Sequence, residues 1–208
     1  MNQEIQLSRQ EREWNSRHRA ILKSATELYL EHGLSGTTMQ MIADRSEFSV
    51  GYLYKHFADK RAMLNEIIDG VLEQYEKARE ILLSESRGDP MGTIRKDLVQ
   101  CAAQLQENAQ VMPLFVSTRE SSRSRIRQRI LAYRHQGAAL LQEAMDLGQI
   151  KPRNPDVLAA ALDGVIFGLI ETMIDTGQTH RFAELPAIVD ELLLKPLETD
   201  PKGKDDTR

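Results

Sequence analysis

Residues 37–60 read TTMQMIADRSEFSVGYLYKHFADK and contain the start signals of three helices in quick succession. Thr37 and Thr38 are N-cap residues for a first short helix that carries Met41, Ile42 and Ala43. Ser46-Glu47-Phe48 then forms a tight connection, and Ser49 can cap a second short helix that ends near His56. Asp59 can cap a third, longer helix. The stretch therefore predicts helix, turn, helix, followed by a long helix.

Two short helices separated by about three residues are typical of the helix-turn-helix, whose second helix enters the major groove of DNA. We expect Phe48, Leu53 and Phe57 to face inward and fix the angle of that helix. Val50 and Tyr52 lie near its N-terminus, where side chains reach base edges. The side chains expected to donate to phosphates are Tyr54, Lys55 and His56.

The rest of the chain has a helical hydrophobic period almost throughout and shows no strand pattern. Ile21, Leu22, Ala25, Leu28 and Tyr29 form one apolar stripe, and Gly33 ends that first helix. Pro90 starts another helix after Gly88-Asp89. The remaining predicted helical segments are 113–117, 122–147, 155–176 and 184–197. The fold class is therefore all-α, with about nine helices.

The N-terminal residues resemble the signature of the tetracycline-repressor (TetR) family. The resemblance is carried by Arg19-Ala-Ile-Leu, Gly33, Thr37-Thr38-Met39, Ile42-Ala43 and Ser49-Val-Gly-Tyr-Leu-Tyr-Lys-His-Phe-Ala-Asp-Lys60. It implies a three-helix DNA-binding domain over residues 1–60 and a helical effector-binding and dimerisation bundle over 61–197. The polar residues 198–208 are expected to form a disordered tail.

The resemblance also implies roles for single residues. Thr38, Tyr54, His56 and Lys60 match positions that contact phosphates, Val50 and Tyr52 match positions that face bases, and Lys55 can reach either. The predicted DNA-binding set is Thr38, Ser49, Val50, Tyr52, Tyr54, Lys55, His56 and Lys60. The family's turn commonly reads Ala-Gly-Val, so Glu47 stands where a left-handed glycine is usual. We expect strain of roughly 1 kcal/mol there and a carboxylate placed unfavourably near DNA.

The C-terminal body contains apolar positions of two kinds. One segment is apolar over more than one helix face, which indicates burial on more than one side and predicts half of a dimer interface together with the last helix. Its residues are Val157, Leu158, Ala161, Leu162, Val165, Ile166, Leu169, Ile170 and Met173, with Ile188, Val189, Leu192 and Leu193 on the last helix. The candidate effector pocket consists of Cys101, Leu105, Met112, Phe115, Tyr133 and Phe167, for which core packing is the alternative.

Six arginines follow one another at Arg119, Arg123, Arg125, Arg127, Arg129 and Arg134. They fit a solvated face with local ion pairs. The alternative is that one of them turns inward to hold an anionic effector.

Composition excludes several classes of protein. Residues 1–61 contain nine basic and eight acidic side chains, so this part carries +1, whereas the whole chain of 208 residues carries −4. One cysteine excludes an intrachain disulfide, and the five histidines show no metal-ligand spacing, so we expect no metal and no cofactor. The start of the chain lacks a signal-peptide core, and no segment reads as a membrane span. We therefore expect a cytoplasmic protein with no membrane partner.

The sequence predicts a DNA-binding transcriptional regulator. The specific hypothesis is a repressor that binds a pseudo-palindromic operator as a homodimer and is released by a small-molecule effector. A protein-binding adaptor that kept the fold but lost DNA recognition is the alternative, favoured by Glu47 and the weak N-terminal charge. We do not expect an enzyme, because the chain shows no phosphate-binding glycine loop and no nucleophile motif.

Overall fold

A computed structural model describes residues 8–85, 88–114 and 125–199, with the side chains of 125–127 left out. The chain is helical from its first described segment to its last, which confirms the all-α prediction. The helices are α1 (Arg9–Gly36), α2 (Met39–Ser46), α3 (Val50–His56), α4 (Lys60–Glu85), α5 (Pro90–Glu107), α6 (Arg125–Asp146), α7 (Pro155–Asp175), α8 (Leu185–Val189) and α9 (Lys195–Leu197). The chain divides into two compact units, Met1–Gly70 and Val71–Arg208.

The first unit contains α1, α2, α3 and the start of α4. Its core is mainly aliphatic, as expected from the low aromatic content of the chain. The buried residues are Ile21, Ala25, Leu28, Tyr29, Ile42, Ala43, Leu53, Phe57, Met63, Leu64 and Ile68. Leu53 and Phe57 therefore face inward as predicted, whereas Phe48 is only half-buried. Its ring stacks on Tyr52 instead, with 5.0 Å between ring centroids.

The helix boundaries of this unit follow the predicted caps. Thr38 Oγ1 accepts from the backbone N–H of Met41, and Ser49 Oγ accepts from that of Tyr52. Gly33 has a left-handed φ of 70°, which breaks the regular helix at the predicted residue. Thr37 has a different role from the predicted N-cap. Its buried hydroxyl donates to the carbonyls of Leu28 and Gly33, and so satisfies the end of α1.

The second unit packs around two apolar clusters. One joins α5, α6, α7 and the last helices through Met91, Ile94, Leu141, Ile150, Leu162, Val189 and Leu194. The other lies around Met112, Ile170, Met173, Phe182 and Leu185. Pro90 lies in the first turn of α5, as predicted, and Asp89 is its N-cap. Gly148 and Gly177 take positive φ after α6 and α7.

The last helical segment differs from the predicted single helix over 184–197. It starts earlier, with a 3-10 helix at Thr179–Glu184, and it contains a π-helical turn at Asp190–Leu194. Of the predicted short helix at 113–117, the described part is helical over 112–114 and the remainder lies outside the described residues. Ile150 forms an antiparallel bridge with Glu198, and Thr199 N–H donates to the carbonyl of Gln149.

Two predictions about the apolar helices need correction. Val189 does not lie on an open face, because it is fully buried in the core of its own chain, as Leu162 and Ile170 also nearly are. The expectation that no segment resembles a membrane span is also wrong. By length and composition α7 could cross a membrane, with a mean hydropathy of 1.9 and 22% of that window buried. Asp163 lies within this segment, but its carboxylate is paired with Arg134 and interrupts the apolar helix only once.

Candidate DNA-binding surface and effector cavity

The α3 helix lies on the buried side chains of Leu53 and Phe57 and directs its other residues outward. Tyr54 is 55% exposed and Lys55 is exposed, whereas Val50 and Tyr52 are half-buried. Thr38 and Ser49 are exposed caps at the N-termini of α2 and α3. The structure thus brings most of the predicted DNA-binding set to one helix and the two caps before it.

Glu47 ends α2 in the left-handed region, with φ 60° and ψ 30°. It is the one non-glycine residue with positive φ among the described residues. The sequence prediction for this position is therefore confirmed. The backbone N–H of Glu47 bonds to the last carbonyls of α2, and the exposed side chain projects from the turn before α3. A carboxylate thus stands beside the helix that we expect to meet DNA.

His56 lies in a group of stacked rings that the sequence did not reveal. Trp14 and His18 come from α1, and Trp14 stacks on both histidines at centroid distances of 4.7 and 4.8 Å. His56 Nδ1 and His18 Nδ1 share a hydrogen bond of 3.1 Å, and His18 Nε2 lies 2.5 Å from Glu66 Oε1. Burial and His18 lower the pKa of His56. The sequence did not predict this cluster because its residues on α1 and α3 are far apart along the chain.

Lys60 makes contacts that compete with its predicted role at a phosphate. Its Nζ donates to the carbonyls of Thr37 at 2.8 Å and Ser35 at 3.3 Å. Its own carbonyl accepts from the buried hydroxyl of Tyr29 at 2.6 Å. Burial raises the pKa of that tyrosine. These bonds tie the start of α4 to the end of α1, so Lys60 positions the helices whether or not it meets DNA.

The second unit contains a cavity of about 140 Å³ between α4, α5, α6 and α7. Five of the six residues predicted for an effector pocket line it, namely Cys101, Leu105, Met112, Tyr133 and Phe167. The sixth, Phe115, lies outside the described residues. An adjoining cavity of about 110 Å³ shares part of the same wall. The residues that line both cavities are Tyr75, Cys101, Tyr133, Asp163 and Ile166.

A polar network that the sequence did not reveal borders the cavities. The buried Arg79 pairs with Asp97 at 2.8 Å and bonds to Gln136. Tyr75 donates to Asp97 at 3.0 Å, so burial and its neighbours raise the pKa of this hydroxyl. From sequence, a lone arginine in an amphipathic helix is predicted to lie on the surface. Only the packing of α4 against α5 shows that Arg79 is buried.

The arginine cluster is partly described. Arg129 binds Glu76 through two nitrogens and thereby lowers the pKa of that carboxyl, which also accepts from Tyr133 at 2.8 Å. Arg134 pairs with Asp163 at 2.7 Å. These two arginines thus match the ion-pair interpretation. Arg119 and Arg123 lie outside the described residues, as do the side chains of Arg125 and Arg127.

Cys101 is placed on the wall of both cavities. Burial raises the pKa of its thiol to about 12, with a smaller contribution from Asp97. A thiol with so high a pKa is a poor nucleophile at neutral pH. The side chain therefore acts as an apolar part of the cavity wall. No group of three or more His, Cys, Asp or Glu suited to a metal occurs in the described part of the chain.

Comparison with known families identifies the first unit. Residues 21–67 match the family described as bacterial regulatory proteins, tetR family. These residues include α2, α3 and the predicted DNA-binding set. Over this segment the chain is similar to the DNA-binding part of TetR-family proteins. The match ends near the boundary between the two units, so it covers the predicted DNA-binding residues and leaves the cavity of the second unit outside.

Curated relatives show similarity to this chain over different lengths. The repressor KstR2 of Mycobacterium tuberculosis is 36% identical over 78 residues, which is 37% of this chain and 38% of that protein. The chain thus matches less than half the length of this relative. The probable acrEF/envCD operon repressor of Escherichia coli K12 is 21% identical over 183 residues, 83% of either chain. Both relatives are named as repressors.

Solved structures share the fold over most of the chain. SmeT, the repressor of the Stenotrophomonas maltophilia multidrug efflux pump SmeDEF, superposes with a TM-score of 0.73 at 21% identity. The match covers 88% of this chain and 91% of SmeT. A complex of SmeT with triclosan gives a TM-score of 0.74 at 20% identity, covering 89% and 93%. At 20–21% sequence identity, this structural similarity supports a shared fold and nothing further.

Proposed function

We propose that this chain is a transcriptional repressor that binds a pseudo-palindromic DNA operator as a homodimer in the bacterial cytoplasm. The observation that carries the proposal is α3, a helix with a buried inner side and exposed Tyr54 and Lys55 on a family-matched motif. Val50 and Tyr52 read base edges, and Thr38, Ser49, Tyr54, Lys55, His56 and Lys60 hold phosphates. The repressor names of KstR2 and the acrEF/envCD relative support the sign of regulation.

The dimer forms through the open face of α7. Val157 is 66% exposed, and Ala161, Gly164, Gly168 and Thr172 continue the same exposed stripe. A Cβ added to either glycine would meet nothing within 4 Å, so a second helix can approach closely. On the last segment, Leu192 is also exposed, at 61%. A two-fold axis through this face would pair α7 with its copy.

A small-molecule effector binds in the 140 Å³ cavity and releases the DNA. The predicted pocket residues Cys101, Leu105, Met112, Tyr133 and Phe167 form its wall. Release follows if the effector binds one conformation of the dimer more tightly than the conformation that fits two half-sites. The complex of SmeT with triclosan shows that a relative of this fold takes up a small molecule, which supports the proposal.

The test is a selection of random and genomic duplexes on the purified full chain, followed by affinity measurements from 50 to 200 mM salt. We expect enrichment of a pseudo-palindrome and a steep loss of affinity with salt, since each neutralised phosphate releases counterions. A protein that enriches no sequence and binds DNA equally at both salt concentrations would refute the proposal. Glu47→Gln, which removes the carboxylate only, is included to detect a chain whose DNA binding that charge suppresses.

A protein-binding adaptor remains the second candidate, favoured by the exposed carboxylate of Glu47 beside α3. In that case neither the wild type nor Glu47→Gln would select DNA. The same chain would still be a dimer, so oligomeric state does not separate the two functions. The selection does.

A further inference from the structure

Two histidines from different helices are hydrogen-bonded to each other in the first unit. His56, on α3, faces His18, on α1, with 3.1 Å between their Nδ1 atoms. The other nitrogen of His18, Nε2, lies 2.5 Å from Oε1 of Glu66 on α4. Trp14, also on α1, stacks on both imidazole rings. A chain of hydrogen bonds therefore runs from α4 through α1 to the helix that we expect to meet DNA.

The geometry of this chain of bonds limits how many protons it holds. Two ring nitrogens at hydrogen-bond distance share one proton, because one of them must donate and the other must accept. His18 Nε2 carries a proton of its own, since it faces the carboxylate of Glu66. When the histidine pair is uncharged, the shared proton therefore lies on His56 Nδ1, and His56 Nε2 has only a lone pair.

A proton at His56 Nε2 requires one positive charge on the pair. If the shared proton stays on His56, this ring becomes an imidazolium. If the shared proton moves to His18, then His18 is the imidazolium and His56 is neutral with its proton on Nε2. Burial and His18 lower the pKa of His56, so the charge is better held by His18 beside Glu66. In both forms the Nδ1–Nδ1 bond is kept and His56 Nε2 is a donor.

Titratable and charged groups approach His56 from three helices. Besides its histidine partner on α1, Glu66 on α4 favours a positive charge on His56. Tyr52, on α3, is in ring contact with His56 at 4.8 Å between centroids. Arg17, on α1, bonds to the side chain of Tyr52, which raises the pKa of the guanidinium, with a smaller contribution from Glu13. Glu66 is thus the acid bonded to the pair, whereas the charge of Arg17 is directed at Tyr52 and Glu13.

We infer that His18 and Glu66 are positioning residues for DNA binding, because they let His56 Nε2 donate to a phosphate only when the histidine pair carries one positive charge. Nε2 is the nitrogen that can reach a phosphate, since Nδ1 is bonded to His18. DNA binding then takes up a proton wherever the free pair is uncharged. This inference rests on the proposed function, in which His56 holds a phosphate, and adds the regulation of that contact by pH.

The affinity of the full chain for DNA is measured from pH 6.5 to 9.0 at constant ionic strength, on the selected duplex and on a random duplex of equal length. Both duplexes should show the pH dependence, because phosphates are contacted in specific and non-specific complexes alike. We expect affinity to fall at least about tenfold over this range, since one hydrogen bond to a charged group is lost. Calorimetry in two buffers with different heats of ionisation should record the uptake of up to about one proton.

His18→Phe keeps a ring in the stack but removes the shared proton. His56 can then be neutral with its proton on Nε2, so DNA affinity should lose its dependence on pH above 6.5. His32→Phe is the matched control, because His32 is also on α1 and lies 3.5 Å from Glu31, but its side chain is exposed. This control should keep the wild-type pH profile. Loss of packing alone would lower affinity at every pH and leave the shape of the profile unchanged.

Glu66→Gln tests the other end of the chain of bonds at a side chain that is 47% exposed, where the substitution is tolerated by the fold. Without the carboxylate the charged pair is less stable, so the fall in DNA affinity should move to lower pH. Glu27→Gln is its control, since it removes an acid of the same unit that pairs with Arg45 instead. It should leave the position of the fall unchanged. Thermal unfolding at pH 7.5 checks that each variant is folded.

Failure of the inference is distinguishable from failure of the proposed function. If the wild type binds DNA with equal affinity from pH 6.5 to 9.0, or if His18→Phe and Glu66→Gln keep its pH profile, the inference is overturned while DNA binding stands. If the chain binds neither duplex at 50 mM salt at any pH, the proposed function is refuted and the inference falls with it. A pH profile that His18→Phe flattens and Glu66→Gln moves to lower pH is the result that we expect.

Discussion

The surface of α3 and the cavity of the second unit use polar side chains in opposite ways. On α3, Tyr54 and Lys55 point into solvent from a helix whose other side is buried. At the cavity, Arg79 and Asp97 are bonded to each other within the protein. Polar side chains exposed to solvent favour a charged binding partner, whereas polar side chains already bonded within the protein favour an uncharged one. The pairing of polar groups, more than their number, therefore indicates the chemistry of a partner.

The largest expected effect concerns the paired groups. Arg79→Met should destabilise the protein by about 3–5 kcal/mol, because it leaves the half-buried carboxylate of Asp97 without its charged partner. Arg181→Met is the control, since its ion pair with Glu184 is exposed and screened by solvent, so its loss should change stability far less. Urea unfolding of both variants measures the difference. Equal losses would show that the network at the cavity is no more than a surface ion pair.

The two sides of α3 should separate stability from DNA binding. Phe57→Ala empties a buried position and should cost about 3–5 kcal/mol of stability. Tyr54→Ala changes an exposed position and should alter stability by no more than about 0.5 kcal/mol while DNA affinity falls. Denaturation and DNA binding are measured on the same preparations. A Tyr54→Ala protein with unchanged DNA affinity would show that this exposed side chain of α3 does not contact DNA.

Base reading and phosphate binding should separate between Tyr52 and Lys60. Tyr52→Ala should change sequence preference, with about 1–3 kcal/mol lost on the selected site alone. Lys60→Ala should weaken binding to all sequences and reduce the salt slope by about one. It should also cost stability of about 1 kcal/mol, because Nζ donates to Thr37 and Ser35 carbonyls. A stability loss with an unchanged salt slope would leave Lys60 a positioning residue only.

Acidification should weaken the first unit through His56. Burial and His18 lower the pKa of His56 below its ordinary value of 6.5, with Glu66 opposing this in part. The unfolded chain then takes up the proton at a higher pH than the folded chain. Stability is therefore present above pH 6.5 and is lost as pH falls below it. His56→Gln should reduce the loss of melting temperature between pH 7.5 and 5.5, whereas His135→Gln, at an exposed position, should not.

The smallest expected effect is at Glu47. Glu47→Gly should relieve up to about 1 kcal/mol of left-handed strain, partly offset by the flexibility of glycine when unfolded. Glu47→Gln keeps the strain and removes the charge. We expect both to bind DNA more tightly at low salt, but only the glycine variant to be more stable. If both were unchanged in affinity, the carboxylate would lie away from the DNA path.

The sequence predicted most of what short-range rules govern. The caps at Thr38 and Ser49, the helix start at Pro90 and the break at Gly33 depend on neighbouring residues, and the structure confirms them. The left-handed conformation of Glu47 was predicted because the family's turn usually has a left-handed glycine at that position. Five of the six predicted pocket residues line one cavity, and whether that cavity binds an effector stays a prediction.

What the sequence did not predict depends on contacts between distant segments. The ring cluster joins His18 to His56, and the Arg79–Asp97 pair joins α4 to α5. Periodicity indicates an apolar face but not which element covers it, so Val189 was assigned to an interface although it is buried in its own chain. The burial of Gln104 Oε1, which has no hydrogen-bond partner within the described part of the chain, could not be predicted either, because it depends on the packing of α5.

The central claim is that two copies of α3 read two half-sites at once. The most direct measurement compares the affinity of the full chain for the selected pseudo-palindrome with its affinity for the same duplex carrying one scrambled half-site. We expect the intact site to bind at least roughly 100-fold more tightly, because the second half-site is engaged within one complex. Equal affinity for the two duplexes would contradict the claim.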